Sequence, residues 1–187
     1  PRAVADTDDV RTYQPPRRLK VARAAWETLR LVPVWMSFLL LVSVLVVMQE
    51  IHLEWGFGVA ALTSGLTLAY AGLVALVVAA LAKWILVGRI RAGEQPLWSS
   101  FVWRNEVADS FIELLAAPWM ARPASGTPVM NAMLRLLGSR IGRGVWCESY
   151  WLPEADLISL GDGATINRGC VVQTHLFHDR IMQIDRV

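Results

Sequence analysis

Residues 31–48 read LVPVWMSFLLLVSVLVVM, and residues 55–82 read WGFGVAALTSGLTLAYAGLVALVVAALA. Neither run contains a charged side chain. A helix needs about 20 mostly apolar residues to cross the hydrocarbon of a bilayer, so both runs are predicted to span, the second with some tilt. Helices packed inside a soluble bundle keep a polar stripe toward water. Here the polar interruptions are only small or weakly polar, such as Ser37, Ser43, Thr63 and Ser64. The six residues Gln49, Glu50, Ile51, His52, Leu53 and Glu54 link the runs, a connection short enough to demand an antiparallel hairpin. Gly56, Gly58, Gly65 and Gly72 mark the second run and permit close helix approach in lipid. A cleaved signal peptide is excluded by the depth of the first run and the persistence of the second.

Charge on the flanks gives an orientation. Arg17, Arg18, Lys20, Arg23 and Arg30 precede the first run, and Lys83, Arg89 and Arg91 follow the second. The link carries Glu50 and Glu54 and no Lys or Arg. The positive-inside rule then predicts a multi-pass protein of the inner membrane with both ends cytoplasmic. Trp26, Trp35, Trp55 and Trp84, four of the nine tryptophans, fall near the predicted interfaces. The whole chain of 187 residues is 55% hydrophobic and 18% charged, against about 25% charged in an ordinary soluble domain. That excludes a disordered chain and a nucleic-acid partner. Beginning at Pro1, it reads as a fragment of a longer protein. Cys147 and Cys170, far apart and outside any CxxC pair, read as reduced packing residues.

Beyond Gly93 the grammar changes. Ala108, Phe111, Ile112, Leu115 and Trp119 recur at helical spacing, with Arg104, Glu106, Asp109 and Glu113 on other faces. This predicts an amphipathic helix capped by Ser99 or Ser100 and closed by Pro118. It lies on the membrane surface, on the following domain, or on both. Residues 122–128 form a Pro/Gly/Ser linker. Thr127 then caps a short helix over residues 129–137 that starts at Pro128 and ends at Gly138. From there a six-residue rhythm sets in: residues 141–146 (IGRGVW), 160–165 (LGDGAT) and 166–171 (INRGCV) each open on an aliphatic residue. That is the signature of a parallel β-helix whose aliphatic positions point inward. The expected organisation is a basic cytoplasmic linker over 1–25, a two-helix transmembrane hairpin over 26–92, a juxtamembrane amphipathic helix and linker over 93–128, and the start of a hexapeptide-repeat domain over 129–187.

The tandem hexapeptides, entered from a short helix, resemble the left-handed parallel β-helix acyltransferases. A closer resemblance joins residues 93–104 (GEQPLWSSFVWR), 136–146 (LLGSRIGRGVW), 151–157 (WLPEADL) and 173–180 (QTHLFHDR). Together they are similar to the C-terminal membrane region of ε-poly-L-lysine synthetase-type nonribosomal peptide synthetases. That resemblance implies amide-bond formation from aminoacyl thioesters tethered to a carrier domain of the same polypeptide, with an amino acid or growing peptide as acceptor. The donor it implies is a phosphopantetheine thioester, or coenzyme A if the chain is an ordinary hexapeptide acetyltransferase. A non-catalytic membrane scaffold is the alternative of another class. Membrane lipid is the expected surrounding partner, and homo-oligomerisation stays open.

His175 and His178 lie where the six-residue rhythm breaks, as in a loop leaving the coil. A T-x-x-H segment after such a coil carries the general base in the sugar-modifying members that the chain resembles. Acyl transfer to an amine needs a base that titrates near neutrality, which imidazole supplies. His175 is preferred over His178 because the resemblance centres on Q-T-H-L-F. Asp179 or Asp162 would orient the ring. Backbone N–H groups at the coil corners would face the oxyanion. No cluster with metal-ligand spacing is present in the sequence. So short a piece of coil is expected to be inactive in isolation.

Overall fold

The computed structural model describes residues 14–178 and 180–187. Helix α1 (Arg17–Leu29) occupies much of the expected basic linker. It is a docked element: Leu19, Ala22 and Trp26 pack on an apolar cluster, and Arg23 pairs with Glu27 and with Glu106. A turn at Arg30 and Leu31 leads into α2 (Val32–Leu86), which carries Pro33 in its first turn.

One residue inside α2 is not helical. Gly56 has φ 84° and ψ 169°, a region open in practice only to glycine. Two contacts show what it does. The Trp119 Nε1–H donates to Ser37 Oγ at 2.8 Å. The Trp119 carbonyl oxygen lies where a Cβ on Gly72 would come within 2.6 Å. In an unbroken helix Ser37 and Gly72 would be about 50 Å apart, so the chain doubles back at Gly56. The expected link, Gln49 to Glu54, is itself helical. A single glycine makes the reversal and the polar residues are left as its approach. Gly58 and Gly65 have nothing within 4 Å of a built Cβ; the close approach is confined to Gly72, and it admits the element carrying Trp119. Gly56→Ala is expected to destabilise the fold by about 1–3 kcal/mol, read as a lowered midpoint of thermal unfolding in detergent.

Helix α3 (Ser100–Phe111) begins at Ser99, whose hydroxyl accepts from the Val102 N–H. It continues without a break into a π-helix over Ile112–Ala121. Pro118 does not close this helix but sits inside the wide turn, where its missing N–H costs one bond of the ladder. The expected surface helix is packed on both sides. Val102, Trp103, Val107 and Ala108 are buried in α3, and Leu115, Ala116 and Ala117 in the π-helix. Helix α4 (Pro128–Leu137) then runs to Gly138 as expected, with Thr127 before it. The Thr127 hydroxyl donates to the Ala124 carbonyl and does not cap.

Among the described residues, seven short strands follow the helices or lie between them. Strand β1 is Gly93–Pro96, β2 Arg140–Ile141, β3 Trp146–Cys147, β4 Ser159–Leu160, β5 Thr165–Ile166, β6 His175–His178 and β7 Ile181–Ile184. β2 pairs in parallel with β4, and β3 with β5. Arg140 faces Ser159 and Trp146 faces Thr165, the same shift of 19 residues in both pairs. β7 lies between β1 and β6, antiparallel to each. The segment expected to be a loop around His175 is therefore a strand of a hairpin. One apolar core joins Leu76 and Ala80 of α2, Ala117 of the π-helix, Met130 and Leu134 of α4, and Ile158 beyond them. The long helix is thus built into the domain that follows it. Cys147 is buried, whereas Cys170 is exposed and is not the packing residue expected.

Candidate functional site

The segment Leu152-Pro153-Glu154-Ala155 ends in a turn held by an unusual residue. Glu154 has φ 49° and ψ 52°, the left-handed region that non-glycine residues seldom enter. A short 3-10 turn, Ala155–Leu157, follows it, closed by the Leu157 N–H on the Glu154 carbonyl at 2.9 Å. The conformation turns the Glu154 side chain inward, where its carboxylate has no exposure. Such strain persists only where surrounding contacts over-determine it, and they do here. The Thr174 hydroxyl donates to Glu154 Oε2, Asn105 Nδ2 donates to Oε1 at 3.3 Å, and His175 Nδ1 lies 2.8 Å from Oε2.

Strand β6 explains which histidine is used. Side chains alternate along a strand, so His175 and Phe177 share one face while Leu176 and His178 take the other. The His175 and Phe177 rings are 4.9 Å apart. His175 meets the buried carboxylate and His178 is exposed on the opposite face. With Nδ1 engaged by Glu154, Nε2 is the ring nitrogen left for other chemistry. A groove of about 540 Å³ runs beside it, lined by Glu94, Gln173, His175, Gln183 and Asp185 among others.

Of the two expected orienting residues, Asp162 makes a different contact. Asp162 accepts the Arg143 N–H at 2.7 Å, stitching one parallel segment to the next. Asp179 lies outside the described residues. The carboxylate on the ring is Glu154, a residue not singled out above as chemistry. Its signal was present: one of two acids in residues 151–157, Glu154 and Asp156, set among apolar neighbours. Asn105 and Thr174 carried no comparable signal.

Asn105 also links Glu154 to a second carboxyl, donating to Asp109 Oδ2 at 3.3 Å. Burial, and then the nearby charges of Glu154, Glu106 and Glu113, push the Asp109 carboxyl up to about 8. Folded Asp109 holds its proton while the unfolded chain loses it from about pH 4 upward. Stability from this group is therefore fully present below pH 4 and falls as pH rises toward 8. Asp109→Asn removes that dependence. The variant is expected to match the parent near pH 4 and to exceed it in thermal stability near pH 8, as scanning calorimetry across that range would read. Equal pH slopes in the two proteins would contradict it.

The site is also tied to the long helix. Lys83 Nζ, near the end of α2, lies 2.7 Å from Asp156 Oδ2, with side chains 6% and 4% exposed. The same oxygen accepts the Ile90 N–H at 3.1 Å. Lys83 also stands 3.4 Å over the Trp84 ring, and Trp84 Nε1 donates to the Leu136 carbonyl at 2.9 Å. Asp156 is two residues from Glu154, within the turn that sets the carboxylate.

The chain is 35% identical over 181 residues to a delta-poly-L-ornithine synthetase of Acinetobacter baumannii (strain AB307-0294). The match takes in 94% of this chain and 13% of that protein. The similarity supports a relation to peptide synthetases, through one segment of a much longer polypeptide. No family model matches the chain. No solved structure matches it. Among the described residues, one helical stretch, Arg17–Leu86, is by length and composition long and apolar enough to cross a membrane.

Proposed function

We propose that this chain is the membrane-anchored, acyltransferase-like part of a peptide synthetase, forming amide bonds from carrier-tethered aminoacyl thioesters. The observation that carries the reading is the pairing of His175 with the buried Glu154 at the edge of an open groove. A carboxylate on Nδ1 fixes the tautomer and ring orientation, leaving Nε2 to take a proton. The acceptor amine attacks the thioester carbonyl and a C–N bond forms. The amine proton passes to His175 Nε2. The C–S bond then breaks, and the leaving thiolate takes that proton as a thiol. The name of the similar protein, a synthetase of a polymeric amide, agrees with this reaction class.

The two parallel strand pairs, each shifted by 19 residues, suit a turn of left-handed β-helix with one inserted residue. The arms of α2 suit a hairpin across the bilayer with both ends cytoplasmic. Its most apolar eighteen-residue stretch is only 6% buried, whereas a core helix of a soluble protein would be largely covered. Glu154→Gln tests the reaction. It keeps the size of the side chain but removes the charge that orients the ring. In the full-length polypeptide it is expected to slow product formation at least tenfold, with aminoacyl-thioester loading unchanged. An unaltered rate overturns the acyl-transfer assignment and favours a scaffold.

A further inference from the structure

A second groove, of about 540 Å³, opens where the long helix ends. Four arginines from separate segments line it. Arg89 and Arg91 lie three and five residues past the last residue of α2, Arg140 opens β2, and Arg186 follows β7. All four are exposed. Among the described residues, no ion pair joins any of them to a carboxylate. The carboxylate lining the groove, Asp156, is already held by Lys83 and the Ile90 N–H. Four like charges gathered in one concavity repel each other unless an anion joins them. Guanidinium groups suit phosphate above other anions, because their planar fork matches its oxygens.

We propose that this groove binds the phosphate headgroup of an anionic membrane lipid, an inference that rests on the reading of α2 as membrane-spanning. Its depth selects lipid as the source of the phosphate. A groove a few residues beyond the end of an apolar arm lies at the headgroup level, on the side that carries the basic flanks. Each arginine near an anionic surface contributes about fivefold in affinity. The headgroup would also bridge residues on both sides of the site's supporting turn: Arg89 and Arg91 precede β1, and Arg140 and Arg186 flank the strands that follow. Lipid binding would thereby hold the end of the hairpin against the domain.

The intact protein, purified in detergent, is titrated with phosphatidylglycerol or phosphatidylcholine of the same acyl chains, and bound lipid is counted by native mass spectrometry. Phosphatidylglycerol is expected to bind at least tenfold more tightly. The triple change Arg89→Gln, Arg91→Gln and Arg140→Gln is expected to bring it to the phosphatidylcholine level. Arg91→Gln alone gives a smaller loss and serves if the triple variant does not fold. Arg17→Gln with Arg18→Gln, outside the groove, is expected to leave the preference intact. Equal binding of the two lipids overturns the proposal, as does a preference that survives the groove variants. Inorganic phosphate binding with the same arginine dependence, without any lipid preference, assigns the groove to a soluble ligand and overturns it too. Alkaline carbonate extraction separates the two layers of inference. Protein retained in the membrane but blind to headgroup charge refutes this proposal alone, and protein released from the membrane refutes the spanning reading as well.

Discussion

Replacing His175 by alanine in the full-length polypeptide is expected to lower amide formation by about 10²–10⁴-fold, the range that a positioned general acid–base group contributes. Thioester loading is expected to continue at the parent rate, because the proposed reading gives His175 no part in activation. The assay follows both, with product by mass spectrometry and carrier loading by radiolabel. His178→Ala is the internal control. It sits three residues along the same strand, on the face away from Glu154, and is expected to leave the rate within about twofold, far less than the loss at a catalytic base. The contrast between the two variants matters more than either alone, since both remove an imidazole from β6. Equal losses would mean that the strand needs its histidines for structure, and equal indifference would remove the base from this site. Phe177, its ring 4.9 Å from that of His175, also limits the freedom of the imidazole.

That choice between the histidines shows where sequence reading reached and where it stopped. The QTHLFH stretch stood out in the sequence as candidate chemistry, because the six-residue rhythm read from the sequence breaks there. Its conformation was not legible, because β6 exists only through pairing with β7 and, beyond it, β1 from some ninety residues earlier. Periodicity reports local preference and carries no register between distant segments. The same limit explains Glu154. Nothing in the order Pro153-Glu154-Ala155 announces a left-handed residue, since the conformation is held by Asn105, Thr174 and His175 from elsewhere in the chain. The apolar runs were read correctly as helix, yet the reversal was placed on polar residues 49–54 instead of Gly56. Polarity marks where a chain can meet water, and the tight turn needed a backbone geometry instead. The amphipathic pattern of residues 98–120 was sound for α3, but one apolar face was expected. The π-helix presents buried residues to α2 and shares a core with α4 and residues 141–158, which no single-face pattern describes.

Lys83→Met is expected to cost about 3–5 kcal/mol of stability, the usual penalty for removing one partner of a buried ion pair. For a chain of this size that is a fall on the order of 10 °C in the unfolding midpoint. The cost arises on the partner left behind. Methionine fills much of the space, but the Asp156 carboxylate then keeps only the Ile90 N–H and stays enclosed with its charge uncompensated. A second change, Asp156→Asn, removes that charge while preserving an oxygen for Ile90. The double variant Lys83→Met with Asp156→Asn is therefore expected to be more stable than Lys83→Met alone, a sign that surface ion pairs do not give. Strictly additive losses would show that Lys83 acts by packing over Trp84 instead. Function is expected to follow stability in this pair, because Asp156 lies in the 3-10 turn that begins at Glu154. Loosening the turn frees the strained backbone at Glu154 to relax, and the carboxylate leaves the His175 ring. Helix α2 is then part of the support of the site. Its final turns hold, through one lysine, a residue within the turn on which the proposed base depends, so a helix displaced from its seat would silence the site without touching His175.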